Sequence, residues 1–173
     1  MLRCAALFAI LFASIIPAAA DEPSLGPVIE GYGPTYPIDD RDVGLPEGLI
    51  YRTVFDVAAD PAPGKVNRNL VSVARFLNMH ARQGVPVDNM QLAVVVHGNA
   101  TRNLVKSGDN PNLELIGQLQ EAGVRFYVCG QSMTYAGIAR EQLADGIQVA
   151  LSAMTMLTIL QSDNYALLPW GAQ

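Results

Sequence analysis

The run LAVVVHG, residues 92–98, decides the fold class of this chain. Five consecutive apolar residues precede a histidine and a glycine. A strand with one wet face alternates apolar and polar residues, whereas an uninterrupted apolar run indicates a strand buried on both faces. The run VRFYVCG, residues 124–130, is similar and also ends in glycine. Strands of this kind are typical of parallel sheets that carry helices on both faces.

Helical segments separate the predicted strands. Residues 67–83 have apolar side chains at the i, i+3, i+4, i+7 spacing of an amphipathic helix, which Gly84 ends. A second helix is predicted to begin at Asn110, which can cap it with Pro111 at its first position. The two apolar stripes consist of Leu70, Val73, Ala74, Leu77 and Ala81, and of Leu115, Ile116, Leu119 and Ala122.

The rest of the chain continues the alternation of strand and helix. The further elements predicted are a strand within residues 49–58, a short helix near 138–143 that follows a polar turn, a strand within 146–153, a helix over 154–161 and a short strand at 165–168. This order predicts an α/β fold with a mainly parallel sheet of about five strands, flanked by helices.

The first twenty residues have the features of a secretory signal peptide. Arg3 supplies a positive charge, an apolar run follows, and Ala18 to Ala20 form a small-residue cleavage site, so we predict cleavage after Ala20 and a periplasmic location. The apolar run is too short for a comfortable membrane span. An excess of 16 acidic over 11 basic residues disfavours binding to nucleic acid or to anionic lipid by bulk charge.

Two further segments follow the leader. Residues 21–48 are rich in proline and glycine and lack periodicity, which predicts an extended arm that packs on an apolar surface or serves as a flexible tether. Residues 49–173 form the predicted globular domain. Loss of the leader removes Cys4 and leaves Cys129 as the single cysteine, so no intrachain disulfide is expected.

Cys129 is the strongest candidate for chemistry. In open parallel sheets, reactive groups gather at the carboxyl ends of the strands, and both Cys129 and His97 stand there, each before a glycine. Backbone N–H dipoles at a helix start would favour the reactive thiolate. Gly130 would admit a bound anion, and Gln131 and Ser132 would donate hydrogen bonds to it. The alternative is a structural cysteine, since free cysteines are often buried as small hydrophobes.

The histidines offer weaker signals. His97 could act as a base or hold an anion, although a hydrogen-bonded structural histidine is the commoner role at a strand end. His80 is predicted to lie on the solvated side of its helix. One cysteine and one histidine fall short of the three or four ligands of a zinc site, so neither a metal nor another cofactor is predicted.

Several blocks in order resemble the DsrE/DsrF-like sulfur-relay proteins, and specifically their exported members. These blocks are VVVHGNA, NPNLELIGQLQEAGVRFYVCGQSMTYAGI and GIQVALSAMTMLTILQSDNYALLPW, and the likeness spans roughly residues 49–170. The resemblance implies a compact three-layer α/β sandwich that often assembles into homo-oligomers. It also implies that Cys129 matches the cysteine that carries sulfur as a persulfide in active members.

The resemblance leaves two functions open. The first is a periplasmic sulfur carrier or sulfurtransferase, whose partners would be a small-molecule or protein donor and acceptor of sulfur. An exported member would need a donor such as thiosulfate, polysulfide or a protein persulfide. The second is a non-catalytic binding or assembly subunit with a structural cysteine, because some family members lack the cysteine and the fold alone does not certify activity.

Overall fold

A computed structural model describes residues 22–59 and 62–169. The strands are Tyr51–Val57 (β1), Met90–Val96 (β2), Arg125–Cys129 (β3), Gln148–Ala150 (β4) and Ala166–Leu168 (β5). The α-helices are Arg68–Arg82 (α1), Leu113–Glu121 (α2), Gly130–Ala136 (α3) and Ala153–Ser162 (α4). Short 3₁₀ turns lie at Val87–Asn89, Gly98–Leu104 and Arg140–Gln142. The sheet order is β4-β3-β2-β1-β5, and every pairing is parallel. The predicted α/β class is therefore confirmed.

The strand register aligns the carboxyl ends of the three central strands. Val57 of β1 pairs with Val96 of β2, and Val96 in turn pairs with Val128 of β3. Cys129 pairs with Ala150 of β4. Because all strands run in one direction, the residues that follow them meet at one edge of the sheet.

Helices cover the two faces of the sheet unequally. On the first face, α1 and α2 pack over the apolar side chains of β1, β2 and β3 and form the larger core. On the second face, α4 alone packs over a smaller cluster that includes Val54, Val95 and Tyr127. Side chains of a strand alternate between the faces, so Cys129 shares the second face with Tyr127.

The arm packs against α1 through one buried asparagine. Asn78 is fully buried, and its side-chain oxygen accepts hydrogen bonds from two backbone N–H groups of the arm. Its amide nitrogen donates to three arm carbonyls. The residues that provide these groups are Val28, Ile29, Tyr32 and Gly33, and the side chain of Ile29 is itself fully buried in the larger core. Asn78 therefore satisfies backbone groups that the extended arm cannot pair within itself.

Three local predictions need correction. The chain after Cys129 is helical at once, as α3, where a polar turn was expected, and residues 138–143 contain only a 3₁₀ turn. The predicted cap at Asn110 is displaced: α2 begins after Asn112, and the side chain of Asn110 accepts from the N–H of Asn112 in a turn ahead of it. Asparagine side chains favour such local turns as strongly as helix caps.

The predicted leader, residues 1–20, and its cleavage point lie outside the described residues. The fourth strand is shorter than predicted, and α4 begins at Ala153 with Ser152 as its N-cap. Within residues 22–59 and 62–169, no helix has the length and apolar character that a membrane crossing requires.

Substitution of Asn78 by alanine is expected to destabilise the protein by about 3 kcal/mol, since several buried arm groups would lose their partners. Urea unfolding followed by circular dichroism measures this change. Asn69→Ala on the same helix is the control, because no hydrogen bond involves its side chain. Equal stability of the two variants would show that the bonds between Asn78 and the arm contribute nothing to folding.

Candidate functional site

Cys129 is the last residue of β3 and occupies the N-cap position of α3. It is 6% exposed and packs in the smaller core with Tyr127, Ala153 and Leu160. Its sulfur therefore lies where the end of β3 meets the starts of two helices, α3 and α4. Both helices begin with backbone N–H groups that have no partner within the helix.

Hydrogen-bond donors from both helices reach the sulfur. Burial raises the pKa of the Cys129 thiol, but hydrogen bonds from the side chain and N–H of Ser132 and from the N–H groups of Ala153 and Gln131 lower it. The combined effect of the donors exceeds that of burial, so the pKa lies below its ordinary value. Donors of this kind favour the thiolate, which is the nucleophilic form of cysteine.

Ser132 connects the ends of two neighbouring strands. Its hydroxyl oxygen accepts a hydrogen bond of 3.0 Å from the N–H of Gly98, which follows β2. The same hydroxyl is one of the donors that lower the pKa of the Cys129 thiol. A donor that itself accepts a hydrogen bond is polarised, so the bond from Gly98 strengthens the bond from Ser132 to the sulfur.

Gly130 and Gln131 make contacts within the protein, and their binding of an anion stays a prediction. A Cβ atom on Gly130 would lie 2.8 Å from the carbonyl oxygen of Ala150, so the glycine allows β4 to end close to α3. The side chain of Gln131 is exposed and points to the carbonyl of Leu151 at 3.5 Å. Its backbone N–H, rather than its side chain, faces the sulfur.

His97 forms a hydrogen bond with a carboxylate on the neighbouring strand. Its Nε2 lies 3.0 Å from Oδ1 of Asp56, and the two side chains are 31% and 33% exposed. His97 follows β2 with an extended backbone, as Cys129 ends β3. The structure thus brings the predicted residues His97, Cys129 and Ser132 to one edge of the sheet.

The prediction for His80 is wrong. It is 8% exposed, stacks on Phe76 with ring centroids 4.0 Å apart, and its Nδ1 donates to the Phe76 carbonyl. Burial lowers its pKa, although the bond to the Phe76 carbonyl opposes this shift. Histidine fills the gap beside Tyr51 and Phe76 because its flat ring can stack on an aromatic neighbour.

Sequence reasoning missed two contributors to the site. Asp56 is a lone carboxylate in the otherwise apolar end of β1. It stands two residues after Val54, so the alternation of side chains along a strand indicates that it lies on the second face. The N–H of Ala153 had no such signal, because it reaches the sulfur through the packing of α4 on β3. Among the described residues, no group of three or more histidine, cysteine, aspartate or glutamate side chains is placed to bind a metal.

Comparison with known families agrees with this geometry. A family model for DsrE/DsrF-like proteins matches residues 52–170, which is most of the globular domain. The chain belongs to the DsrE/DsrF-like family. Membership of this family suggests a role related to sulfur relay.

A solved structure supports the fold of this DsrE/DsrF-like protein. It is that of a protein of unknown function from Methanobacterium thermoautotrophicum, with a TM-score of 0.57 and 22% sequence identity. The match covers 69% of this chain and 98% of the other. No curated protein matches the sequence. At this identity, the likeness establishes the shared fold alone.

Replacement of Ser132 by alanine is expected to raise the pKa of Cys129, because one donor to the thiolate is lost while the burial remains. Ultraviolet absorbance of the thiolate, followed against pH, measures this shift. Thr134→Val is the matched control, since the Thr134 hydroxyl donates to the Gly130 carbonyl and not to the sulfur. A Ser132→Ala titration that coincides with the wild type would contradict the assigned hydrogen bond.

Proposed function

We propose that this protein is a periplasmic sulfur carrier that holds sulfane sulfur as a persulfide on Cys129. The observation that carries the proposal is the set of donors around the sulfur, which lowers the pKa of a nearly buried thiol. A cysteine that served only to fill the core would need no such donors, because a neutral thiol is stable in apolar surroundings. Family membership supports the same chemistry.

The proposed reaction is a displacement at sulfur. The thiolate of Cys129 attacks the outer sulfur of a donor such as polysulfide, an S–S bond forms, and the S–S bond within the donor breaks. The electron pair of the broken bond leaves with the rest of the donor. The N–H groups of Gln131, Ser132 and Ala153 stabilise the anion before the attack, and an acceptor thiolate later removes the sulfur by the same chemistry.

Assembly into a homo-oligomer is part of the proposal. The outer side of α4 and the loop before it expose several large apolar side chains, namely Leu151, Met154 and Ile159, at 72%, 78% and 54%. A helix that is apolar on all sides normally lies buried. This surface adjoins the start of α4, whose first N–H faces the sulfur, so a neighbouring subunit would border the site.

A second candidate is a non-catalytic assembly subunit in which Cys129 is structural. The observation in its favour is the 6% exposure of Cys129 and its packing against Leu160 and Tyr127. The two candidates differ in the behaviour of the native thiol. A carrier must let a donor reach the sulfur without global unfolding, whereas a structural cysteine need not.

We expect the mature protein to gain the mass of one or more sulfur atoms after treatment with polysulfide. Intact-mass spectrometry measures the gain, and dithiothreitol should reverse it. The Cys129→Ser variant is the control and should gain nothing. A wild-type mass that stays unchanged, under conditions that modify a known persulfide carrier, would refute the carrier function.

Alkylation by iodoacetamide separates the two candidates further. For a carrier, we expect the native Cys129 to react at a rate that does not follow the rate of global unfolding, since only a local opening is needed. Urea at concentrations well below the unfolding midpoint provides the comparison. Labelling that occurs only as the whole domain unfolds would favour the structural role.

A further inference from the structure

We propose that His97 and Asp56 form a proton-transfer pair for Cys129, in which His97 moves the proton between the cysteine sulfur and the leaving group of the sulfur donor. Asp56 is the positioning residue of this pair, since it acts through His97. The inference rests on the proposed function, because it assigns a role within the same reaction. It extends that function to a class of donor, namely persulfides of ordinary, basic thiols.

The alternation of side chains along β2 and β3 places the imidazole of His97 on the same face of the sheet as the sulfur of Cys129. His97 has φ −148° and ψ −178°, so the strand geometry of β2 continues through it. Its side chain therefore points to the face of Val95, which is also the face of Tyr127 and Cys129. The last pair of the β2–β3 ladder is Val96 with Val128, so the next step along both strands puts His97 beside Cys129.

A second contact fixes the spacing between the two strand ends. The N–H of Gly98 donates to Ser132, whose hydroxyl donates to the sulfur. The residue directly after His97 is thus tied, through one serine, to the sulfur of Cys129. Neighbouring strands lie about 4.8 Å apart, so His97 and Cys129 are neighbours across the ends of β2 and β3.

The bond to Asp56 selects the nitrogen that exchanges the proton. A carboxylate only accepts hydrogen bonds, so Nε2 of His97 carries its proton towards Oδ1 of Asp56. Nδ1 is then the free base of the neutral ring, and within the described part of the chain it has no hydrogen-bond partner. A carboxylate also stabilises the imidazolium that forms when Nδ1 takes up a proton.

The pair is reachable from solvent, unlike the sulfur. About a third of each side chain is exposed, whereas Cys129 is 6% exposed. A donor that approaches the sulfur from this side would place its leaving group against the imidazole. Neither side chain is buried deeply enough to require this hydrogen bond for folding, and exposed pairs contribute less than about 1 kcal/mol to stability.

With a persulfide donor, every proton and electron pair in the reaction has a destination. The thiol of Cys129 gives its proton to Nδ1 of His97, and the sulfur's electron pair forms a bond to the outer sulfur of glutathione persulfide. The S–S bond of the donor breaks, and its electron pair stays on the glutathione sulfur. His97 returns the proton to that sulfur, so the products are Cys129 persulfide and glutathione, without an oxidant or a reductant.

The nature of the leaving group provides the test. A glutathione thiolate is a strong base and leaves more readily when it is protonated. Tetrathionate instead releases thiosulfate, a very weak base that leaves without a proton, as the thiolate of Cys129 forms a bond to one central sulfur. His97 takes the thiol proton in both reactions but passes it to a leaving group only in the first, so its loss should slow the first reaction much more than the second. A purely structural residue would affect both equally.

The experiment measures single-turnover modification of Cys129 by each probe in the mature protein, followed by intact mass. For His97→Gln, we expect the rate with glutathione persulfide to fall by about tenfold or more relative to the rate with tetrathionate, since general acid–base catalysis commonly contributes about 100-fold or more. Asp56→Asn should change the same ratio in the same direction, by a smaller factor. Asn99→Ala, exposed on the adjoining turn, is the control and should leave the ratio as in the wild type.

The possible outcomes separate the two proposals. If both rates fall by one factor in His97→Gln, or neither falls, transfer of the proton from His97 to the leaving group is refuted while the sulfur carrier stands. If the wild type reacts with neither probe, the carrier function fails and this inference fails with it. The tetrathionate rate also reports folding of the variant, and Asp56→Asn supplies the second test should His97→Gln misfold.

Discussion

Cys129 ends a buried strand, and the apolar packing there would keep its thiol neutral if nothing opposed it. Donor groups at the starts of α3 and α4 oppose it, since they lower the pKa of the thiol. They reach the sulfur because β3, α3 and α4 converge at one point of the sheet edge. Burial and hydrogen bonding thus compete at a single atom, and the donors prevail. Every chemical inference about this protein depends on that balance between desolvation and charge-assisted hydrogen bonds.

The convergence in turn depends on close backbone packing. Gly130 lets the end of β4 approach α3 to a distance that a Cβ atom would obstruct. Because β4 ends there, Ser152 can cap α4 beside the sulfur and direct the N–H of Ala153 towards it.

On the opposite face, Asn78 holds the arm against α1 and away from the second face. The arm therefore adds to the larger core without covering the candidate site.

The sequence predicted the parts of the structure that rest on periodicity. Unbroken apolar runs identified the buried parallel strands, and they placed His97 and Cys129 at the same edge. It failed where tertiary contacts override local preference. The polar residues after Cys129 form α3 where a turn was expected, and His80 is buried because aromatic neighbours stack on it. Asp56 was missed because a lone carboxylate in a strand has no meaning until its partner is known.

Access to the sulfur depends on which neighbouring element moves most easily. Of the α-helices in the described part of the chain, α3 contributes a single buried side chain, Met133, whereas α1 contributes six buried residues. The cost of a local opening grows with the buried surface that it exposes, so displacement of α3 is the cheapest route to the sulfur. That same displacement would remove Ser132 and Gln131 from the thiolate. A donor that enters by displacing α3 must therefore stabilise the thiolate itself. A donor that arrives from the side of His97 leaves α3 in place and keeps these groups at the sulfur.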